Sequence, residues 1–163
     1  MAAAQGGDRR AFDELFLRFG RLVHGVLLVR LGPDEAADEA QEVFLHAWTV
    51  LRSLREPAAF GSWIAAIARR RAIDRLRQRK NFESVDDRQS AGHGDPHDAL
   101  EATRVLDAIR ALPEAYRETL ALRLVEGHTG PEIAALTGLT PASVRVNLHR
   151  GFKLLRERLG IDT

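Results

Sequence analysis

Residues 129–153, TGPEIAALTGLTPASVRVNLHRGFK, decide the fold of their half of the chain, because their local signals agree on one geometry. Thr129 and Glu132 form a T-x-x-E capping box, which satisfies the first free N–H groups of a helix. Gly138 can take the positive φ that closes this helix in a tight turn, Leu139 supplies an apolar plug, and Thr140 with Pro141 gives the N-cap and N1 pair of a second helix. Two helices joined by a three-residue, glycine-containing turn make a helix-turn-helix. At about 100° per residue, Val144, Leu148, Gly151, Phe152 and Leu155 share one stripe of the second helix, while Ala142, Val146, His149, Arg150 and Lys153 point the other way. Ala134 is small where the helices must cross, and Ile133, Leu136, Leu139 and Val144 are expected to close a small core beneath them. The polar outer face is then a reader of duplex DNA, in preference to a helical hairpin that only packs.

The rest of the chain decides what kind of DNA binder this is. With 163 residues, 45% of them apolar, it can build a core in one domain or two small ones. A net charge of +1 points to no polyanionic partner, so the distribution of charge matters more than its sum. Cysteine is absent, which excludes disulfides, thiolate metal sites and cysteine nucleophiles. No apolar run approaches the length of a membrane span, and MAAAQGGDRR lacks the apolar core of a signal peptide, so the expected location is the cytoplasm.

From Asp8 to Leu31, Phe12, Leu15, Phe16, Phe19, Leu22, Val23, Val26 and Leu27 recur at helical spacing, in two helices or one bent near Gly20. Gly32 and Pro33 break the pattern and Asp34 can cap the next helix, whose apolar face carries Ala36, Ala40, Val43, Phe44, Ala47, Trp48 and Leu51. Its opposite face is acidic, with Asp34, Glu35, Asp38, Glu39 and Glu42, and part of that charge suits the helix dipole. After a loop at Arg55, Glu56 and Pro57, a helix begins with Phe60, Trp63, Ile64 and Ile67 and then turns cationic. Arg69, Arg70, Arg71, Arg75, Arg77, Arg79 and Lys80 stand against the single Asp74. So many cations exceed what helix capping requires and predict a phosphate-binding footprint.

Residues 81–99 are rich in Ser, Gly, Asp and Pro and read as a flexible linker, which also makes a metal site from His93, Asp95 and His97 unexpected. Helical period resumes through Val105, Leu106, Ile109 and Leu112, and Pro113 opens, at N1, a helix with Tyr116, Leu120, Leu124 and Val125 that Gly127 ends. No span alternates as a strand does. The expected fold is all-α: one helical bundle over 1–80, the linker, and a second bundle over 100–163. No phosphate-cradling glycine loop, H-E-x-x-H or G-x-S-x-G appears, so neither an enzyme nor a metal or cofactor is expected.

In combination these residues resemble the extracytoplasmic-function (ECF) sigma factors of bacterial RNA polymerase, in the sigma-70 superfamily. AFDELFLRFGRLV looks like the opening of the family's region 2, DEAQEVFLHAW is similar to its most recognisable segment, and FGSWIAAIARRRAIDRLRQRK to its promoter-facing helix. LPEAYRETLALRLVEGHTGPEIAALTGLTPASVRVNLHRGFKLLRERL looks like region 4. The resemblance implies that Asp38, Gln41, Glu42 and Phe44 dock on the β′ coiled coil of core polymerase and that region 4 meets the β flap. It implies −10 contacts from Arg55, Phe60, Arg69, Arg70, Arg71, Arg75 and Arg77, with residues 55–61 receiving an extruded base. Ser143, Arg145, Val146, Asn147, His149 and Arg150 inherit the −35 contacts in the major groove. Promoter DNA and core polymerase are the implied partners, and an anti-sigma factor is a further one.

Arg70 stands where the family often has Asn, and Val146 and Asn147 where Ser and Arg are common, which implies a different preferred −35 sequence. Two other readings remain: a stand-alone helix-turn-helix regulator binding DNA as a dimer, and a sigma-like module that binds polymerase without opening DNA. The acidic segment speaks against the first, since a simple regulator needs no second domain of opposite charge.

Overall fold

The computed structural model describes residues 1–82 and 96–161, so His93 and Asp95 lie outside the described residues. Every regular element among them is helical. The first bundle holds α1 (Ala2–Gln5), α2 (Arg9–Leu31), α3 (Pro33–Val50), two 3-10 turns (Leu51–Ser53 and Pro57–Ala59) and α4 (Phe60–Phe82). The second holds α5 (Pro96–Arg110), α6 (Glu114–Leu124), α7 (Gly130–Thr137) and α8 (Pro141–Leu159). None of these helices is long and apolar enough to cross a membrane. Both ends of the stretch read as a linker are helical, since α4 continues to Phe82 and α5 begins at Pro96.

Local chemistry accounts for most boundaries. Asp8 caps α2, its carboxylate accepting from the N–H groups of Arg10 and Ala11 at 2.9 and 3.2 Å. The helix then runs unbroken through Gly20. Gly32, at φ 96°, is the N-cap of α3 with Pro33 in its first turn, so Asp34 serves the dipole and not the cap. Likewise Pro113 is the N-cap of α6, and that helix ends at Leu124, before Gly127.

The helix-turn-helix forms as its caps require. Thr129 Oγ1 accepts from the Glu132 N–H, and Glu132 Oε2 accepts from the Thr129 N–H at 2.6 Å. That backbone hydrogen bond, with a second from the Thr129 hydroxyl, holds the Glu132 carboxyl below its usual pKa. Gly138 closes α7 at φ 76°, and Thr140 Oγ1 accepts from the Ser143 N–H at 3.1 Å to open α8. Ile133, Leu136 and Val144 are buried as expected, whereas Leu139 is 40% exposed. The turn needs no plug there, because Thr137 Oγ1 already holds the Leu139 N–H.

The two bundles are joined by more than a tether. From Leu22 to Leu31 every residue of α2 except His24 is buried, and a helix apolar on all sides must be covered on all sides. α3 and α4 cover one flank of it and α6 the other. Leu122, Ile133, Leu136 and Val144 therefore lie in the same buried cluster as Phe19, Val23, Phe60 and Ile64. At Gly61 an added Cβ would stand 2.0 Å from the Leu136 carbonyl oxygen, so only glycine lets the end of α7 rest on the start of α4.

An ionic cluster fixes this seam. Arg30, its side chain 6% exposed, donates to the Val26 carbonyl at 2.9 Å and to Glu114 and Glu118 at 2.7 Å each. Glu118 also receives Nε and Nη2 of Arg69 at 2.8 and 2.9 Å, a bidentate pair. Burial works to raise the Glu118 pKa, but the hydrogen bonds and charges of Arg69 and Arg30 outweigh it and hold the carboxyl below its usual range. Nearby, His24 Nδ1 lies 2.6 Å from Glu126 Oε1, and Arg21 reaches the other Glu126 oxygen at 3.8 Å. The hydrogen bond to Glu126 raises the His24 pKa, burial opposes it, and the charge of Glu126 adds to the rise.

Two outcomes follow from the seam. Glu118→Ala strands the buried Arg30 beside the exposed Glu114 alone and should cost roughly 3–5 kcal/mol in urea unfolding; a cost below about 1 kcal/mol would make the pair incidental. The pH profile of stability should have two shoulders of opposite sign. A depressed carboxyl stabilises above its unfolded value and loses that contribution as pH falls through the folded one, so Glu118 sets the acid shoulder. A raised imidazole stabilises fully below 6.5 and loses its contribution as pH rises through the folded value, so His24 sets the other. Urea midpoints against pH should show His24→Ala flattening only the second shoulder. If that variant kept the wild-type profile, the His24–Glu126 pair would not hold the seam.

Candidate nucleic-acid interface and docking groove

α8 is seated by Val144, Gly151 and Leu155, all buried, with Leu148 and Phe152 half-buried beside them. The expected readers divide into two groups on that seat. Arg145, Val146, His149 and Arg150 are exposed, and none of the four forms an ion pair among the described residues. This leaves a cationic ridge open to a polyanion. Ser143 is exposed, but its hydroxyl shares a 2.8 Å hydrogen bond with Thr140 Oγ1, so it belongs to the cap. Asn147 is half-buried and lines a hollow at the seam together with Arg69, Glu118 and Leu139. Asn147 and Arg69, expected to touch different parts of a promoter, thus line one hollow.

On α4 the cations are far less free than a count of charges suggests. Arg69 is bound by Glu118, Arg71 by Glu39 at 2.7 Å and Glu42 at 3.5 Å, and Arg75 by Glu39 at 3.4 Å. Arg79 pairs with Glu35 at 3.3 Å and Arg77 with Asp74 at 3.9 Å. The acidic face of α3 is turned in part toward the basic face of α4, which is why Glu39, read as a surface acid, is 7% exposed. Arg70 is exposed and forms no ion pair among the described residues, leaving it available to a phosphate. The rise from the Glu39 hydrogen bond outweighs partial burial at Arg71, so its pKa lies above the usual value, as Glu118 achieves for Arg69.

The residues expected around an extruded base take two positions. Arg55 is exposed, whereas Phe60 is 2% exposed, its ring 4.9 Å from Phe19 and 5.6 Å from Trp63. In this arrangement Phe60 is a core residue, because the end of α7 lies over the start of α4 and its aromatic neighbours fill the rest.

A third surface lies on the far side of the first bundle. Asp38, Gln41 and Glu42 are exposed on α3, and Gln41 lines a groove floored by Phe12 and Phe44 and walled by Phe16, Leu45 and Trp48. Phe44 is 3% exposed and supports the groove from beneath. Its ring lies 4.7 Å from Phe16, and Phe12 meets Trp48 at 4.8 Å. Phe16, Leu45 and Trp48 expose 43%, 62% and 36% of their surface, an apolar patch whose groove is also lined by Arg9 and Asp13, with the exposed Asp38 one turn from Gln41, a combination suited to protein docking. Sequence reasoning placed the acids and missed the groove. The signal was Leu45, an apolar residue on the same helical stripe as Asp38, Gln41 and Glu42.

Both bundles have counterparts among known proteins. The family model "Sigma-70 region 2" matches residues 15–82, and "Sigma-70, region 4" matches residues 102–155. The RNA polymerase sigma factor CarQ of Myxococcus xanthus is 36% identical over 98% of this chain and 95% of its own length. The ECF RNA polymerase sigma factor SigD of Mycobacterium tuberculosis is 32% identical over 98% of this chain and 82% of its own. Among solved structures, CnrH in complex with the cytosolic domain of CnrY superposes with a TM-score of 0.66 at 26% identity, covering 99% of this chain and 96% of CnrH. The Bartonella quintana sigma factor RpoE, solved with the anti-sigma factor NepR, shares the fold at a TM-score of 0.61 and 22% identity, over 93% of this chain and 97% of its own.

Proposed function

The chain belongs to the extracytoplasmic-function sigma factors of the sigma-70 family, promoter-specificity subunits of bacterial RNA polymerase, and from that membership we propose a division of labour among its three surfaces. The groove of Phe16, Leu45 and Trp48, with Asp38, Gln41 and Glu42 on its rim, takes the β′ coiled coil of core polymerase. The apolar floor supplies affinity and the acids steer and orient. The α4 cations hold the −10 strand, with Arg70 the first to reach it, and the exposed ridge of α8 reads the −35 element in the major groove. A subunit with these duties acts in the cytoplasm and contributes specificity, not a bond-breaking step of its own. The observation that carries the reading is an apolar groove on the first bundle together with exposed cations on α4 and α8, with both family regions matched in order.

This assignment requires the seam to part. A −35 and a −10 element are separated, by their numbering, by roughly 25 base pairs, or about 85 Å of duplex at 3.4 Å per base pair. A compact body of this length has a radius of gyration of only about 15 Å. Reading both elements therefore needs α8 to move away from α4, which also releases Arg69 and Asn147 from the hollow they share.

The direct test adds purified protein to core polymerase and maps transcription starts across genomic DNA. Discrete new starts sharing upstream elements are expected; none above core alone would contradict the assignment. Leu45→Glu, which puts a charge into the apolar contact, or Asp38→Arg with Glu42→Arg, which set like charge against a complementary surface, should weaken capture of core polymerase by about tenfold or more while helical content is kept. With a randomised −35 library, Asn147→Arg should change the selected −35 bases and leave the −10 bases alone, a good polar pair being worth about 1–3 kcal/mol of discrimination. Selection of new −10 bases only, or capture unaffected by the reversals, would contradict the corresponding surface. A protein that shifts promoter duplexes without core polymerase and never yields new starts would be a stand-alone regulator.

A further inference from the structure

One carboxylate between α3 and α4 is neither on the docking rim nor on a DNA-facing surface. The Glu39 side chain is 10% exposed, on the α3 face that also buries Ala36 and Val43. An apolar side chain would satisfy that position, and a buried carboxylate is costly there unless it is held by partners. Its partners are the two cations Arg71 and Arg75, one helical turn apart on α4.

The manner of contact matters. Glu39 Oε2 accepts from Arg71 Nε at 2.7 Å, and Glu39 Oε1 lies 3.4 Å from Arg75 Nε. A guanidinium carries five N–H donors in a rigid plane. A carboxylate placed at Nε takes the donor nearest the stem and leaves the Nη groups for a second acceptor. Arg71 Nη2 turns toward the exposed Glu42 at 3.5 Å, and Arg75 pairs with no acid other than Glu39 among the described residues. Both side chains remain about half exposed, at 43% and 48%. They are anchored at the root and open at the tip.

We propose that Glu39 is a positioning residue for promoter opening: one buried carboxylate holds Arg71 by a hydrogen bond from its Nε and Arg75 by an ion pair, so that their half-exposed guanidinium tips meet the backbone of the −10 strand. The gain is preorganisation, since two long side chains are ordered before DNA arrives and need not be ordered on binding. The sign differs from simple neutralisation, in which removing the acid would free two cations and strengthen binding to any DNA. The proposal rests on the assignment of α4 to the −10 strand.

The test is a double-mutant cycle on holoenzyme assembled with saturating protein, reading the rate of open-complex formation at a promoter found by start mapping, with urea midpoints measured alongside. Glu39→Gln keeps the shape and removes the charge. It should slow opening by about tenfold, as expected when two charge-assisted contacts lose their orientation, and Glu39→Asp should recover part of the rate. In a background of Arg71→Ala with Arg75→Ala, Glu39→Gln should slow opening no further, whatever it does to the urea midpoint. Equal slowing in both backgrounds, or faster opening by Glu39→Gln alone, would overturn the positioning role and leave the α4 assignment standing. Wild-type opening by Arg71→Ala with Arg75→Ala would overturn the assignment and the positioning role together.

Discussion

Glu118 sits between the guanidinium groups of Arg30 and Arg69, and neither bundle can turn away from the other without stranding a charge in a poorly hydrated place. The apolar part of the seam, where Leu122, Ile133, Leu136 and Val144 meet the α2–α4 core, supplies attraction without direction. The ionic part supplies register. Arg30 is buried and satisfied at Val26, Glu114 and Glu118, so the cluster is stable only in one alignment of α6 against α2. The same cluster links structure to function, because Arg69 cannot serve the seam and a phosphate at once. The positions of Phe60, beneath the end of α7, and of Asn147, against the hollow, follow from that alignment.

A second constraint operates within the first bundle. Five acids on α3 and seven cations on α4 look, along the chain, like two separate faces for two separate partners. In space they overlap: Glu35 meets Arg79, Glu39 meets Arg71 and Arg75, and Glu42 meets Arg71. The exposed pairs among these contribute little stability, but they set which charges a partner finds free. Asp38 remains on the docking rim and Arg70 on the nucleic-acid side, while Glu42 and Arg71 belong to both surfaces.

The helix-turn-helix was legible because its determinants are local: a capping box, a glycine at φ 76° and a Thr-Pro start lie within a dozen residues and depend on nothing distant. The two-bundle helical fold was legible for the same reason, as periodicity is a property of single elements. The seam was not, since a contact between residues 88 or 102 positions apart, as for Arg30–Glu118 and His24–Glu126, leaves no periodic trace. Two hints did exist. Val26, Leu27, Leu28 and Val29 are consecutive and apolar, which an amphipathic surface helix does not allow, and an arginine follows directly within that run. Leu139 shows the converse error: an apolar residue in a turn was assigned to the core, though the turn closes through Thr137 and leaves it exposed.

Because the chain has no cysteine, two can be introduced and labelled without competition, at the exposed Leu17 of α2 and Glu157 of α8, and the distance between the labels read by spin-echo or energy-transfer methods. The free protein should give one narrow distance, broadened by Glu118→Ala. Addition of core polymerase and promoter DNA should lengthen it by tens of ångströms, as the separation of the two promoter elements at about 3.4 Å per base pair demands. An unchanged distance in a transcribing complex would contradict the parting of the seam, and with it the assignment of α4 and α8 to separate promoter elements.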